Sequence, residues 1–178
     1  GAHAERVAMN MAGKLAVGST LVTTLEPCSH EGRTGSCAEA IIEAGVQRVV
    51  VGVKDPDSQV AGRGIERLLA AGLEVQVGVL SEEVEADLAP YLHQRSTGRP
   101  YVVLKMAMTL DGYTAAPDGS SRWITGPAAR ADVHRLRAES DAVCVGSATV
   151  RSDDPQLNVR DLHNATELGA RDPRRIVL

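Results

Sequence analysis

No run of about 18 apolar residues occurs anywhere in the chain, so no segment has the length to cross a bilayer as a helix. A basic excess is also missing. Nineteen Lys and Arg stand against 23 Asp and Glu, and a net charge of −4 argues against a nucleic-acid backbone as the main partner. Cysteine is scarce: three thiols are too few, and odd in number, for a disulfide framework, which points to a reducing cytoplasm. The start carries no signal-peptide pattern, and no internal repeat or low-complexity tract is present. What remains is ordinary globular composition, 43% hydrophobic and 24% charged, over a length of 178 residues that suits one domain or two small ones.

Against that plain background, the cysteines stand out by position. Leu25-Glu-Pro-Cys28 is followed by Cys37 after eight intervening residues, and His3-Ala-Glu5 lies near the start. One imidazole and two thiols form the donor set that suits zinc, and three protein ligands leave the fourth tetrahedral position to water. Glu5 is too hard and too close in sequence to His3 to be the fourth ligand. It is better placed as the acid/base beside the metal-bound water. His-x-Glu followed by Pro-Cys and a second Cys is the pattern of zinc-dependent nucleobase deaminases, although their usual gap is Cys-x-x-Cys. The competing reading is a closed, structural zinc, for which only His30 offers a fourth donor.

The chain in order reads as alternating strands and helices. His3–Ala12 is a helix ending at Gly13, whose positive end faces the metal site. Thr20–Leu25 is a strand with the Pro-Cys turn at its carboxyl end. Cys37–Ala44 is a helix, Arg48–Val53 a strand buried on both faces, Gly64–Ala71 a helix, and Leu73–Val77 a strand. Ser81 caps a helix that breaks near Pro90. This alternation predicts a parallel sheet with helices on its faces. Gln94–Pro100 is polar and carries Gly and Pro, which sets a boundary between domains 1–98 and 99–178. Beyond it Tyr101–Met108 reads as a strand, Asp111-Gly112 as a turn, Gly126-Pro127 as the start of a helix, and Asp141–Gly146 as a buried strand. Cys144 falls on that strand as a core residue, and His93, His134 and His163 are read as surface residues.

The segment Cys28-Ser-His-Glu-Gly-Arg-Thr-Gly-Ser-Cys37 resembles the Pro-Cys-x-His-x-Gly-(Arg/Lys)-Thr-x-x-Cys segment of the bifunctional deaminase–reductases of riboflavin biosynthesis. That family usually has Pro where Ser36 stands, a swap that loosens the turn ahead of Cys37 but removes no ligand. The second half is similar to the reductase half of the same family. The matching pieces are Leu104-Lys105, Thr109–Gly112, Ser121–Thr125, Leu136–Ala138, Gly146–Val150 and Asp153–Pro155. The resemblance implies a cytidine-deaminase-like three-layer α/β domain followed by part of a dihydrofolate-reductase-like α/β domain. It also implies a fragment: the family has elements ahead of the His-x-Glu helix and a glycine-rich cofactor loop beyond Leu178, so a complete reductase site is not expected here.

The implied chemistry is zinc-dependent deamination of a diaminopyrimidinone bearing a phosphoribosylamino group, then NADPH-dependent opening of the ribose to a ribityl chain. His3, Cys28 and Cys37 would hold Zn2+, with Glu5 catalytic and His30 and Arg33 on the substrate. Arg33 suits the phosphate because a guanidinium grips its oxygens in a fork. Ala107, Trp123, Thr149 and Asp153 match positions that contact the nicotinamide cofactor. Ser121, Arg137, Leu157 and Arg160 match positions that hold the reductase substrate, although Trp, Arg and Asp all have common structural uses. The partners expected are a phosphorylated pyrimidine and further copies of the same chain. Two rivals stand beside this reading: a deaminase of free nucleotides or of tRNA bases, and a non-enzymatic chain whose zinc is structural or absent.

Overall fold

The computed structural model describes residues 2–30, 35–160 and 171–178, and the chain divides into two compact units, Gly1–Val103 and Leu104–Leu178. In the first unit α1 (Ala4–Ala12) passes through a 3-10 turn, Gly13–Ala16, into β1 (Thr20–Leu25). There follow α2 (Cys37–Glu43), β2 (Arg48–Val53), α3 (Arg63–Ala70) and β3 (Glu74–Val77). The three strands lie in sequence order and all run parallel, with Thr20 opposite Arg48 and Arg48 opposite Glu74. Parallel neighbours need crossover connections, and α2 and α3 supply them.

β2 is the centre of the sheet, which is why its sequence is almost all Val. Val49 and Val51 are fully buried and pack with Met9 of α1, Ile41 of α2 and Leu68 of α3 on one face. Gly52 points to the opposite face, where a Cβ would lie 2.8 Å from the Val84 side chain of α4 (Ser81–Asp87). The absence of a side chain there lets α4 close on the sheet. β1 alternates half-buried and exposed residues, leaving Val22 71% exposed on its outer side.

Two details depart from the sequence expectation. Ser81 does not cap α4: Leu80 occupies that position with φ 53°, and Ser81 is the first helical residue. The helix from Ser81 breaks at Leu88, near Pro90 as expected, but Pro90 stands in the first turn of a further helix, α5 (Ala89–Thr97), so residues 94–97 are helical rather than linker. Proline carries no backbone N–H, and an N–H at that place would have no partner within the helix in any case.

In the second unit α6 (Pro127–Ala138) opens on Gly126-Pro127 as expected, and β4 (Ala142–Val145) pairs in parallel with β5 (Arg174–Val177). α7 (Ser147–Asp153) lies between them in sequence. The segment from Tyr101 to Met108 forms no strand, and Val102, Val103 and Leu104 are exposed. A β-rich composition yields a strand only where a ladder partner satisfies its backbone, and the described sheet of this unit has two strands, β4 and β5. The same two-stranded sheet leaves Cys144 exposed, not in a core, because only the alternate residues Val143 and Val145 are half-covered. His134 is the reverse case. It is buried on α6, and its Nδ1 accepts the Arg160 N–H at 3.3 Å.

Below the sheet's carboxyl end, α3 packs directly on the Pro-Cys turn. A Cβ at Gly64 would sit 1.9 Å from the Pro27 carbonyl oxygen. Gly64→Ala is therefore expected to destabilise the chain by about 1–3 kcal/mol or more, since backbone must shift to admit the methyl. Thermal unfolding followed by circular dichroism checks this; an unchanged midpoint would contradict the close packing.

Candidate functional site

His3, Cys28 and Cys37 converge at the carboxyl end of β1. The His3 Nδ1 lies 3.2 Å from the Cys37 Sγ and 3.6 Å from the Cys28 Sγ. Their donor atoms all fall within 4.8 Å of one another, and among the described residues no fourth His, Cys, Asp or Glu joins them. The donor set and spacing fit zinc. Zn–N of about 2.0 Å and Zn–S of about 2.3 Å at a tetrahedral angle separate nitrogen from sulfur by about 3.5 Å. Both cysteines are buried, while His3 is exposed. Burial pushes the Cys37 thiol well above its ordinary pKa, the charge of Glu5 and the nearby Cys28 add to this, and only Arg6 opposes it. Two thiolates in such a place call for a cation between them. Glu5 itself is half-buried in the first turn of α1, two residues after His3.

The two cysteines are locked together through the start of α2. An α-helix leaves its first N–H groups without intrahelical partners. Here Cys37 N–H donates to the Cys28 Sγ at 3.4 Å, Ala38 N–H to the Cys28 carbonyl at 3.0 Å, and Glu39 N–H to the Ser36 Oγ at 3.3 Å. The Ser36 hydroxyl donates its proton to the same Cys28 carbonyl at 3.0 Å. Arg6 of α1 reaches across to the Ser36 carbonyl at 3.1 Å. Ser36 thus caps α2 and ties it to the Pro-Cys segment.

Glu26, just ahead of Pro27, is a residue whose role the sequence reading missed. It is 3% exposed, and its carboxylate accepts four backbone N–H bonds: from Gly64 and Ile65 on one oxygen, and from Asp55 and Gly62 on the other. α3 has no side-chain cap of its own, so Glu26 caps it from the neighbouring strand. Asp55 extends the network, accepting the Asp57 N–H and the Tyr91 hydroxyl of α5. The only signal in the sequence was an acidic residue between an apolar strand and a Pro-Cys turn, where no solvent-facing function is evident.

His30 is exposed and stands apart from the three donors, so it does not close the site. Arg33 lies outside the described residues, as does His163. In the second unit Ser121 and Trp123 line a cleft of about 930 Å³ together with Thr109, Asp111 and Tyr113. The Arg130 guanidinium stacks 4.4 Å from the Trp123 ring and donates to the Thr125 carbonyl at 2.6 Å. Arg137 donates to the Asn158 carbonyl at 3.2 Å, and burial followed by the charge of Arg160 lowers its pKa. Among the described residues the side-chain hydrogen bonds of Arg137 and Arg160 go to carbonyl and amide oxygens, and two neighbouring guanidiniums so placed suit an anion. Leu157 is buried at φ 54°, Ala107 is half-buried, and Thr149 and Asp153 are exposed on α7.

Comparison with known proteins agrees with this division. Residues 1–53 match the cytidine and deoxycytidylate deaminase zinc-binding region, and residues 100–178 match the RibD C-terminal domain. The riboflavin biosynthesis protein RibD of Escherichia coli (strain K12) is 49% identical over 183 residues, covering 99% of this chain and 50% of the relative. That of Mycobacterium tuberculosis (strain ATCC 25618 / H37Rv) is also 49% identical, covering 100% and 52%. Among solved structures, Acinetobacter baumannii RibD superimposes with a TM-score of 0.89 at 48% identity, over 99% of this chain and 50% of that one. A diaminohydroxyphosphoribosylaminopyrimidine deaminase/5-amino-6-(5-phosphoribosylamino)uracil reductase from Thermotoga maritima gives 0.89 at 42% identity, over 99% and 49%. The chain spans about half the length of the curated relatives it matches. With a His/Cys/Cys cluster on a deaminase-type sheet and a match to the RibD C-terminal domain later in the sequence, the chain belongs to the family of the riboflavin biosynthesis protein RibD.

Proposed function

We propose that the first unit deaminates a diaminopyrimidinone carrying a phosphoribosylamino group, with His3, Cys28 and Cys37 holding zinc. The observation that carries this is the convergence of those three donors, without a fourth among the described residues. A structural zinc would be closed by four protein ligands. Bound zinc supplies a Lewis acid that makes water nucleophilic near neutral pH.

The remaining work falls to the chain's own groups. The Glu5 carboxylate takes one proton from the attacking water and gives it to a ring nitrogen, then takes the second from the newly formed hydroxyl and gives it to the departing amine. A C–O bond forms at the ring carbon, the C–N bond breaks, and ammonia leaves. Glu5 stands in the first turn of α1, at the helix end that carries the positive pole of its dipole. His30 and Arg33 are proposed to bind the substrate, Arg33 through its phosphate.

For the second unit we propose the reductase role of the family, with NADPH as hydride donor. Ala107, Trp123, Thr149 and Asp153 are assigned to the cofactor, and Ser121, Arg137, Leu157 and Arg160 to the substrate. Support comes from the shared cleft of Ser121 and Trp123 and from the proximity of Arg137 and Arg160.

Glu5→Gln should leave zinc content unchanged while lowering ammonia release by about 10²–10⁴-fold, the usual worth of a positioned acid/base. Metal analysis and an ammonia assay on the same preparation decide this, and undiminished release would remove Glu5 from the mechanism. Substrate class is tested by offering the diaminopyrimidinone phosphate and deoxycytidylate side by side. Turnover is expected with the first; turnover of deoxycytidylate alone would assign the chain to nucleotide deamination instead.

A further inference from the structure

All three segments that bear the proposed zinc ligands meet at one residue that is not itself a ligand. Ser36 is 4% exposed. Its carbonyl accepts from Arg6 of α1, the helix that follows His3, and from Ala40 N–H, the first bond within α2. Its hydroxyl accepts from Glu39 N–H and donates to the Cys28 carbonyl. A serine hydroxyl has one proton to give, and here that proton goes to the ligand-bearing turn.

The bond to Cys28 has a geometric consequence. The carbonyl carbon and the Cβ of Cys28 hang on the same Cα, so fixing the direction of the C=O restricts where the Sγ can point. Ala38 N–H makes the second bond to that carbonyl, and Cys37 N–H reaches the sulfur itself. Ser36 therefore couples the aim of the Cys28 sulfur to the start of the helix whose first residue is Cys37.

We propose that Ser36 is a positioning residue of the metal centre, setting the separation of the two cysteine sulfurs through its hydroxyl and so governing how tightly the ion is held. This rests on reading His3, Cys28 and Cys37 as the zinc ligands. Outer-shell partners that orient ligands typically contribute 10–100-fold in metal affinity, and one of the two bonds to the Cys28 carbonyl is lost with the hydroxyl.

The test uses the whole 178-residue chain and three variants: Ser36→Ala, Ser36→Gly and Ser36→Thr. Glycine is tolerated as a helix cap at little cost, so Ser36→Gly removes the hydroxyl while α2 still starts where it does. Zinc affinity is read by competition with a chromophoric chelator, and ligand geometry by the thiolate-to-cobalt absorption of the Co2+-loaded chain. Ser36→Ala and Ser36→Gly should bind zinc about 10–100-fold more weakly and show an altered cobalt spectrum, while Ser36→Thr should match the unaltered chain in both. Ser36→Gly binding zinc as tightly as the unaltered chain would overturn the inference, and so would Ser36→Thr binding as weakly as Ser36→Gly. An unaltered chain that takes up no zinc would instead sink the ligand assignment on which the inference stands.

Discussion

The first amides of α2 bond to the sulfur and carbonyl of Cys28, and the arrangement of the first unit follows from that contact. Helix N-termini must find partners for their unpaired N–H groups. Here the partners are the atoms of a residue nine positions back, so satisfying the helix and closing the thiol pair are one event. The residues between the two cysteines need only return the chain to the same point. This explains how an eight-residue spacing serves a geometry that other deaminase-type sites reach with two.

A second constraint holds this turn from behind. The Glu26 carboxylate is buried, and a buried charge is tolerated only when hydrogen-bonded on all sides. Four backbone N–H groups from the Asp55–Ile65 region do this, and Gly64 has no side chain because the Pro27 carbonyl occupies the space. The donor cluster thus sits between α2 on one side and the start of α3 on the other. Both contacts engage backbone amides, which leaves His3, just ahead of α1, as the exposed member and Glu5 in the first turn of α1 half-buried.

The second unit is organised differently. Its polar residues gather around α6 and the 156–160 segment, where His134 accepts the Arg160 N–H and Arg137 reaches the Asn158 carbonyl. The Arg137 and Arg160 charges are close enough for one to disfavour the other, an arrangement that is costly without an anion and useful with one. From Leu104 to Met108 the apolar residues are mostly exposed and the described sheet has two strands, so this unit buries far less of its apolar sequence than the first.

Much of the first unit was legible because its signals are local. Val-rich Arg48–Val53 could only be a strand covered on both faces, and the apolar faces of α2 and α3 follow a helical period. Signals failed where a distant partner decided the outcome. Tyr101–Met108 has strand composition without a ladder in the described sheet, and Cys144 has core neighbours in sequence without a second layer over it. His134 looked like a surface residue and is buried, because the Arg160 backbone returns to cover it.

The sequence by itself determined which atoms were available: one imidazole, two thiols and a carboxyl, of the types and in the order that zinc chemistry uses. Only the tertiary structure decided that they converge, and it did so through Glu26 and Ser36, whose hydrogen bonds reach across as many as 39 positions of chain. Ligand identity is a property of single side chains and can be read one letter at a time. Convergence depends on backbone groups that every residue carries alike, and their pairing has no signature in the letters.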